Sequence, residues 1–209
     1  MYRKSLLFLV AGLLLFSSTA WAQGGFQFTE QSHKLEIIPM YGYVWTWSKS
    51  AYYGAYSGEI DLESGDFWGI AGDINVKPGM QLRLLYRRQD TNVTFKYAGE
   101  TDDEGKLGVE YWHIGGVAGM QKGNVMPFSA LTLGTTRYIV DGYDDEYKFS
   151  IIISIGAKIY LNDRIGLMFS GQMPFTFTDA FVGVGTGGMS FGGTGIVQMD
   201  LVGGVIIAL

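Results

Sequence analysis

Hydrophobic and polar residues alternate along much of the chain, and the stretch FSIIISIGAKIYLN at residues 149–162 shows the pattern clearly. Apolar residues, chiefly isoleucine, occupy the odd positions, whereas Ser150, Ser154 and Lys158 occupy even ones. Alternate side chains point to opposite faces of a β-strand. A helix would instead surround the polar residues with isoleucine, whose β-branched side chain disfavours helices. The stretch therefore predicts a strand with one apolar face and one polar face.

Eight segments carry this alternation, and the connections between them are alternately short and long. The short connections contain KPG, QKGN and ND, and the long ones span 48–64, 98–106, 140–147 and 179–195. This arrangement predicts an all-β fold, namely an eight-stranded antiparallel up-and-down transmembrane β-barrel with short periplasmic turns and long extracellular loops. The predicted strands lie near residues 34–47, 65–76, 80–97, 107–120, 125–139, 148–162, 164–178 and 196–209.

The composition favours a barrel whose apolar face lies outside, against lipid. Aromatic residues make up 15% of the chain and the mean hydropathy is +0.14. No segment after residue 33 combines the length and the helix propensity of a transmembrane helix. Backbone groups in lipid must be hydrogen-bonded within the protein, and a closed barrel meets this requirement. The face that carries charge and glycine is then predicted to line the barrel interior.

Two of the predicted strands are irregular. In the third, Arg88 and Asp90 follow apolar residues in the outward phase, which indicates either a β-bulge near Arg87–Arg88 or the exit of the strand from the membrane. The fourth strand, GVEYWHIGGVAGM, can be phased either way. The sequence therefore leaves the face of His113 open.

Residues 1–22 have the pattern of a cleaved signal peptide, with a basic start, the apolar stretch LLFLVAGLLLF and the small-residue exit STAWA. The mature chain is then predicted to begin at Gln23, with a short periplasmic segment at 23–33 and an outer-membrane β-barrel domain at 34–209. An uncleaved N-terminal anchor is the alternative. An exported barrel of this kind predicts the outer membrane of a Gram-negative bacterium as the location.

The absence of cysteine excludes a disulfide scaffold, a thiolate zinc site and a cysteine nucleophile. The formal net charge of −5 at pH 7 makes nucleic acid an unfavourable partner. GVGTGG at residues 183–188 matches a dinucleotide-binding fingerprint formally, but strand-like sequence follows where that motif requires a helix. We therefore expect no cofactor.

Three sequence stretches carry a resemblance to a known family. They are EIIPMYGYVWTW, HIGGVAGMQKGNVMPFSALTLG and GAKIYLNDRIGLMFSGQ, which open the barrel and cross two of its periplasmic turns. Over residues 34–209 the chain resembles the small outer-membrane β-barrel proteins, of the opacity, OmpA-barrel and OmpW-like kinds, which are often called porin-like. The resemblance implies a structural role, an adhesive role or carriage of small hydrophobic molecules, and it transfers no catalytic residues.

A set of charged side chains is predicted to point into the barrel. The lumen of an eight-stranded barrel is just wide enough for side chains to fill it, and charges buried there must be paired. We therefore expect a salt-bridged plug, with a narrow gated ion path as the alternative. The predicted network consists of Glu36, Asp73, Arg83, Arg87, Lys158, Arg164 and Asp200.

Aromatic residues concentrate toward the ends of the strands that precede the long loops, where they are predicted to form a girdle at the membrane interface. The long loops are acidic, which indicates solvated charge or, as an alternative, calcium or magnesium ions that bridge to lipopolysaccharide. The interface aromatics are Tyr43, Trp45, Trp47, Trp68, Phe175 and Phe177.

The sequence predicts a non-enzymatic envelope protein with a structural or surface-interaction role. Its expected partners are outer-membrane lipids, lipopolysaccharide and the barrel-assembly machinery, and a monomer is expected. One alternative is a carrier or narrow channel for small hydrophobic molecules. Another is a lipid-A-modifying enzyme, for which His113 is the candidate base and Ser129 the candidate nucleophile, since His33 precedes the first strand.

Overall fold

The computed structural model gives the fold of the chain from residue 34 onward. The predicted signal peptide and the segment at 23–33, which includes His33, lie outside the described residues, as does Trp47. The predictions that concern those residues stay predictions. The residues that the structure describes are 34–46, 49–53, 56–97, 100–140, 144–177, 181–185, 188–192 and 195–209.

Twelve strands are present in the described part of the chain, and eight of them form a closed antiparallel ring. Around the ring the order is β1, β4, β5, β6, β7, β8, β9 and β12, and β12 pairs with β1 to close it. The strands are β1 (Leu35–Thr46), β2 (Lys49–Tyr53), β3 (Tyr56–Leu62), β4 (Gly65–Lys77), β5 (Met80–Tyr97), β6 (Glu100–Gly119), β7 (Val125–Val140), β8 (Glu146–Tyr160), β9 (Ile165–Phe177), β10 (Phe181–Gly185), β11 (Gly188–Gly192) and β12 (Gly195–Ala208).

The remaining four strands lie in two of the predicted long connections. β2 and β3 form a hairpin, and β3 also pairs with β5, from Gly58 opposite Tyr97 to Leu62 opposite Val93. β10 and β11 form a separate two-stranded sheet between β9 and β12. The predicted barrel of eight strands is therefore confirmed, with hairpins added at its long-loop end.

The three short turns lie at the end of the barrel that also holds the first described residue and the C-terminus. Gly79 and Gly123 occupy two of these turns with φ angles of 76° and 63°, a region that glycine adopts without strain. In the third turn the Asn162 side chain accepts hydrogen bonds from the backbone N–H groups of Arg164 and Ile165, both at 2.9 Å. These features make each reversal tight.

The strand phase agrees with the predicted alternation. On β8, Ile153 and Ile155 are exposed on the outer face, whereas Ser150, Ser154 and Lys158 are buried inside. The outer face of the ring is largely apolar, since its exposed side chains include leucine, isoleucine, tryptophan and tyrosine. Among the described residues, no helix has the length and apolar character needed to cross a membrane.

The prediction of a β-bulge near Arg87–Arg88 is wrong. β5 pairs continuously with β4 and β6 through these residues, and the register shifts lie instead at Asn75/Lys77 and Thr94/Phe95. Arg88 therefore lies on the outward face of β5. This placement agrees with the alternative prediction, in which the strand leaves the membrane near Arg88.

Candidate functional site

Lys158 is the centre of an ion-pair network in the periplasmic half of the lumen. Its Nζ donates to Asp73 Oδ2 at 2.7 Å and to Gln81 Oε1 at 2.6 Å, and it also contacts Glu36. Arg83 binds the same Asp73 carboxylate through Nε and Nη2, at 2.7 and 2.6 Å. We call Glu36, Asp73, Arg83 and Lys158 the inner ion-pair network.

The inner ion-pair network is neutral and fully enclosed. Its two carboxylates match its two cations, and the four side chains have relative exposures of 0–1%. Tyr160 donates its hydroxyl to Glu36 at 2.8 Å, and Arg83 lies over the Phe128 ring at 5.4 Å. Because each charge is paired and hydrogen-bonded, burial does not leave an isolated ion.

A second ion pair lies further along the lumen, between Arg87 on β5 and Asp200 on β12. The Arg87 guanidinium lies between two aromatic rings, 4.6 Å from the centroid of Phe67 and 4.2 Å from that of Tyr111. The Tyr111 hydroxyl in turn donates to Gln198 Oε1 at 2.7 Å. The pair thus joins opposite walls of the barrel and fills the space between them.

Arg164 does not join either group, in contrast to the prediction. Its side chain is exposed in the turn at 161–164, because β9 begins only at Ile165. The alternation that predicted an inward direction applies only within the strand. The other six residues of the predicted charge set are buried in the lumen, where they form two groups.

His113 faces the lumen on β6, a placement that the sequence left open. Its Nε2 lies 2.8 Å from Ser150 Oγ, and its Nδ1 lies 3.2 Å from Thr132 Oγ1. Gly134 gives the imidazole its space, because a Cβ there would lie 2.7 Å from His113 Cδ2 and 2.0 Å from a backbone oxygen. Ser129 is exposed on the outer face, so its proposed pairing with His113 is wrong.

Aromatic side chains form a band on the outer face below the long loops. Tyr43, Trp45 and Trp68 are exposed there, while Phe175 and Phe177 are partly covered. Further aromatic residues on neighbouring strands join this band. Trp68, Tyr86 and Trp112 make successive ring contacts with centroid separations of 5.6 and 4.4 Å, and Tyr147 and Phe149 continue the outer face on β8.

A cluster of charged residues lies beside this band, on the outside of the barrel. Glu110 accepts hydrogen bonds from Arg88 at 3.1 Å and from Arg137 at 3.2 Å, and each arginine also binds an aspartate. Arg88 contacts Asp90 at 2.8 Å, and Arg137 contacts Asp145 at 2.6 Å. We call these five residues the outer arginine cluster. The sequence shows Arg88 and Asp90 as breaks in the apolar pattern but does not show the partners on neighbouring strands.

The site residues offer no evident metal centre. Within the ranges that the structure describes, no group of three or more His, Asp or Glu residues is arranged to hold a metal ion. Most of the acidic loop residues lie outside these ranges or have undescribed side chains, so the proposed cation bridging stays a prediction.

Comparison with solved structures gives matches to small outer-membrane proteins. One is Neisserial surface protein A, with a TM-score of 0.55 and 12% identity, where the match covers 84% of this chain and 97% of that one. Another is the outer membrane protein OprG from Pseudomonas aeruginosa, with a TM-score of 0.56 and 12% identity, covering 87% of this chain and 99% of that one. No protein-family model and no curated protein matches the chain.

The structural matches support the fold alone, because a sequence identity of 12% is too low to support a shared function. They agree with the closed ring of eight strands and with its apolar outer face. The resemblance noted from the sequence is therefore confirmed at the level of the fold. The chain therefore has the closed, eight-stranded antiparallel β-barrel fold that these small outer-membrane proteins share.

Proposed function

We propose that this protein is a non-enzymatic structural and surface-interaction protein of the outer membrane, whose closed barrel supports the long extracellular loops. The observation that carries the proposal is the inner ion-pair network, in which side chains from β1, β4, β5 and β8 meet inside the lumen. A rigid, closed support is what loop presentation requires, and paired charges that join four strands supply it.

The dimensions of the barrel favour this role over general diffusion. An eight-stranded barrel has an interior that side chains fill, whereas water-filled channels belong to barrels of about 16 strands or more. Here Arg83, Arg87 and Lys158 extend across the lumen and are fully buried among the described residues. A path for ions would require at least one of these side chains to leave its carboxylate partner.

The surroundings of His113 favour a role without catalysis. Its nearest hydroxyl partner, Ser150, is buried in the lumen, and so is His113 itself. A lipid substrate lies outside the barrel wall, where Ser129 is exposed without histidine contact among the described hydrogen bonds. The His113–Ser150 pair is therefore better explained as a satisfied interior hydrogen bond.

Single-channel recording in planar bilayers tests the closed lumen directly. We expect the purified protein to show no stable conducting state, and Lys158→Met to show transient conductance because it removes the cation that joins Glu36 and Asp73. The matched control is Lys122→Met, which removes an exposed charge in a short turn. Stable conductance of the unmodified protein would contradict the proposal.

The carrier alternative is tested by native mass spectrometry of protein extracted gently from outer membranes. A closed structural barrel is expected to give the mass of the protein alone, apart from membrane lipids. A defined small hydrophobic adduct that disappears in Trp45→Ala or Phe177→Ala would favour a carrier instead.

A further inference from the structure

The outer arginine cluster lies in a continuous row across five strands. The pairing register places Trp68, Arg88, Glu110, Arg137 and Tyr147 directly beside one another on β4 to β8. All five belong to the outward phase of their strands. The row therefore presents two guanidinium groups to the surroundings of the barrel, flanked on each side by an aromatic ring.

The height of this row corresponds to the rim of the membrane. Arg88 lies eight residues above Met80 on β5. For a strand rise of about 3.3 Å and a tilt of about 40°, this separation is about 20 Å along the barrel axis. The apolar band of such barrels is about 25 Å tall. Arg88 thus lies near the level where acyl chains end and lipid head groups begin, on the long-loop side.

The charges of the cluster are unevenly buried. The Glu110 side chain is 7% exposed and is shared by both arginines, whereas the second partner of Arg137, Asp145, is 32% exposed. The second partner of Arg88, Asp90, is 67% exposed, and Arg88 itself is 34% exposed. Exposed ion pairs of this type are screened by water and contribute little. Displacement of the two aspartates therefore leaves two guanidinium groups with the single charge of Glu110 between them.

Hydrogen-bond donors also remain in the cluster. An arginine has five N–H groups. The described hydrogen bonds of Arg88 use Nε, Nη1 and Nη2, and those of Arg137 use the same three atoms. Each terminal nitrogen carries a second N–H, so each guanidinium retains donors that can be directed toward an oxygen-rich anion.

We propose that the outer arginine cluster binds the phosphate group of an outer-leaflet lipid. The planar guanidinium matches phosphate in a two-pronged geometry, and the neighbouring rings of Trp68, Tyr86 and Trp112 suit the interface just below the head groups. Phosphate displaces the exposed contact of Arg88 with Asp90 while Glu110 continues to hold both arginines in place. This assignment rests on the membrane orientation of the barrel and not on whether the lumen is closed.

The test is native mass spectrometry of the intact protein in detergent with two lipid A preparations, one bisphosphorylated and one chemically dephosphorylated. We expect at least tenfold preference for the phosphorylated lipid, lost in the double variant Arg88→Gln/Arg137→Gln. The matched control is Lys77→Gln/Lys122→Gln, which removes two exposed charges at the short-turn end. Equal retention of both lipids by the unmodified protein, or an unchanged preference in the arginine variant, would overturn the assignment.

Two additional measurements separate lipid binding from its alternatives. Glu110→Gln keeps an amide oxygen that accepts a hydrogen bond but removes the carboxylate charge that repels a phosphate, so we expect retention of phosphorylated lipid to rise several-fold; a purely structural cluster would give no gain. Titration with inorganic phosphate, followed by ³¹P line broadening, identifies the source of the anion. Binding of inorganic phosphate without preference between the lipids would overturn the lipid assignment. Heat-dependent gel mobility shows that each variant is folded.

Discussion

The inner ion-pair network and the outer arginine cluster use the same residue types in opposite surroundings. Inside the lumen, Lys158 and Arg83 are matched one for one by carboxylates, and none of the four side chains reaches solvent. Outside, Arg88 and Arg137 share Glu110 and have exposed second partners. We infer from this difference that burial decides what an ion pair does. An enclosed pair holds strands together, whereas a partly exposed one is available to a ligand.

The largest effect is expected from removal of the central cation of the inner network. Lys158→Met keeps an unbranched side chain that is one atom shorter, and it leaves Glu36 and Asp73 without the Lys158 ammonium between them. Breaking a buried pair in this way costs about 3–5 kcal/mol. Guanidinium unfolding in lipid vesicles measures the loss, with Lys122→Met as the control. A loss below about 1 kcal/mol would mean that the network behaves like a surface pair.

The Arg87–Asp200 pair is expected to contribute somewhat less to the free energy of unfolding than the inner ion-pair network does. Asp200→Asn removes the charge but retains a hydrogen-bonding oxygen, and Arg87 keeps its contacts with the rings of Phe67 and Tyr111. We expect a loss of about 2–3 kcal/mol, between that of a charged hydrogen bond and that of a broken buried pair. The same unfolding assay applies. A greater loss than that of Lys158→Met would reverse the ranking of the two interior groups.

A glycine in the barrel wall is expected to affect stability because a larger side chain does not fit there. Gly134→Ala would place a Cβ 2.0 Å from the backbone oxygen of Trp112 and against His113, so the strand or the imidazole must shift. Overpacking of this kind costs about 1–3 kcal/mol. Gly72→Ala is the matched control, because no atom lies within 4 Å of its Cβ position. Similar stability of the two variants would show that the wall adapts at Gly134.

The smallest effect on stability is expected in the outer cluster. Arg88→Gln removes contacts to Asp90 and Glu110 that are partly exposed, and such pairs contribute about 1 kcal/mol or less. Unfolding in vesicles free of phosphorylated lipid is the appropriate measurement. A loss as large as that of Lys158→Met would indicate that the outer cluster holds the barrel together in the manner of the inner one.

The fold was predictable because lipid imposes a simple rule on each strand. The outward side chains of β8 are mostly apolar and the inward ones mostly polar, with Ile152 as an inward exception, so the parity of Ser154 and Lys158 indicates their direction. Arg164 shows where the rule ends, because parity loses meaning once the chain enters a turn. His113 was ambiguous because glycine and apolar residues occupy both faces of β6 near it.

The contacts between strands were not predictable in the same way. Glu110 binds Arg88 and Arg137 because the three residues are in register on β5, β6 and β7, and the sequence of one strand does not fix its register with the next. His113 contacts Ser150 although β7 lies between their strands, because the residue between them in register is Gly134, which has no side chain. Such partners are identified only when the register between neighbouring strands is known.

The inner ion-pair network also has a consequence for the order of folding. Lys158 and Glu36 are 122 residues apart, and Lys158 and Asp73 are 85 apart. Contacts between such distant residues form late, because the intervening chain must first be ordered. Until β1 meets β12, Lys158 lacks its full set of carboxylates. The charge of Lys158 is therefore neutralised only when the ring is complete. An unfinished barrel carries an uncompensated lysine, which disfavours release of the barrel into the lipid.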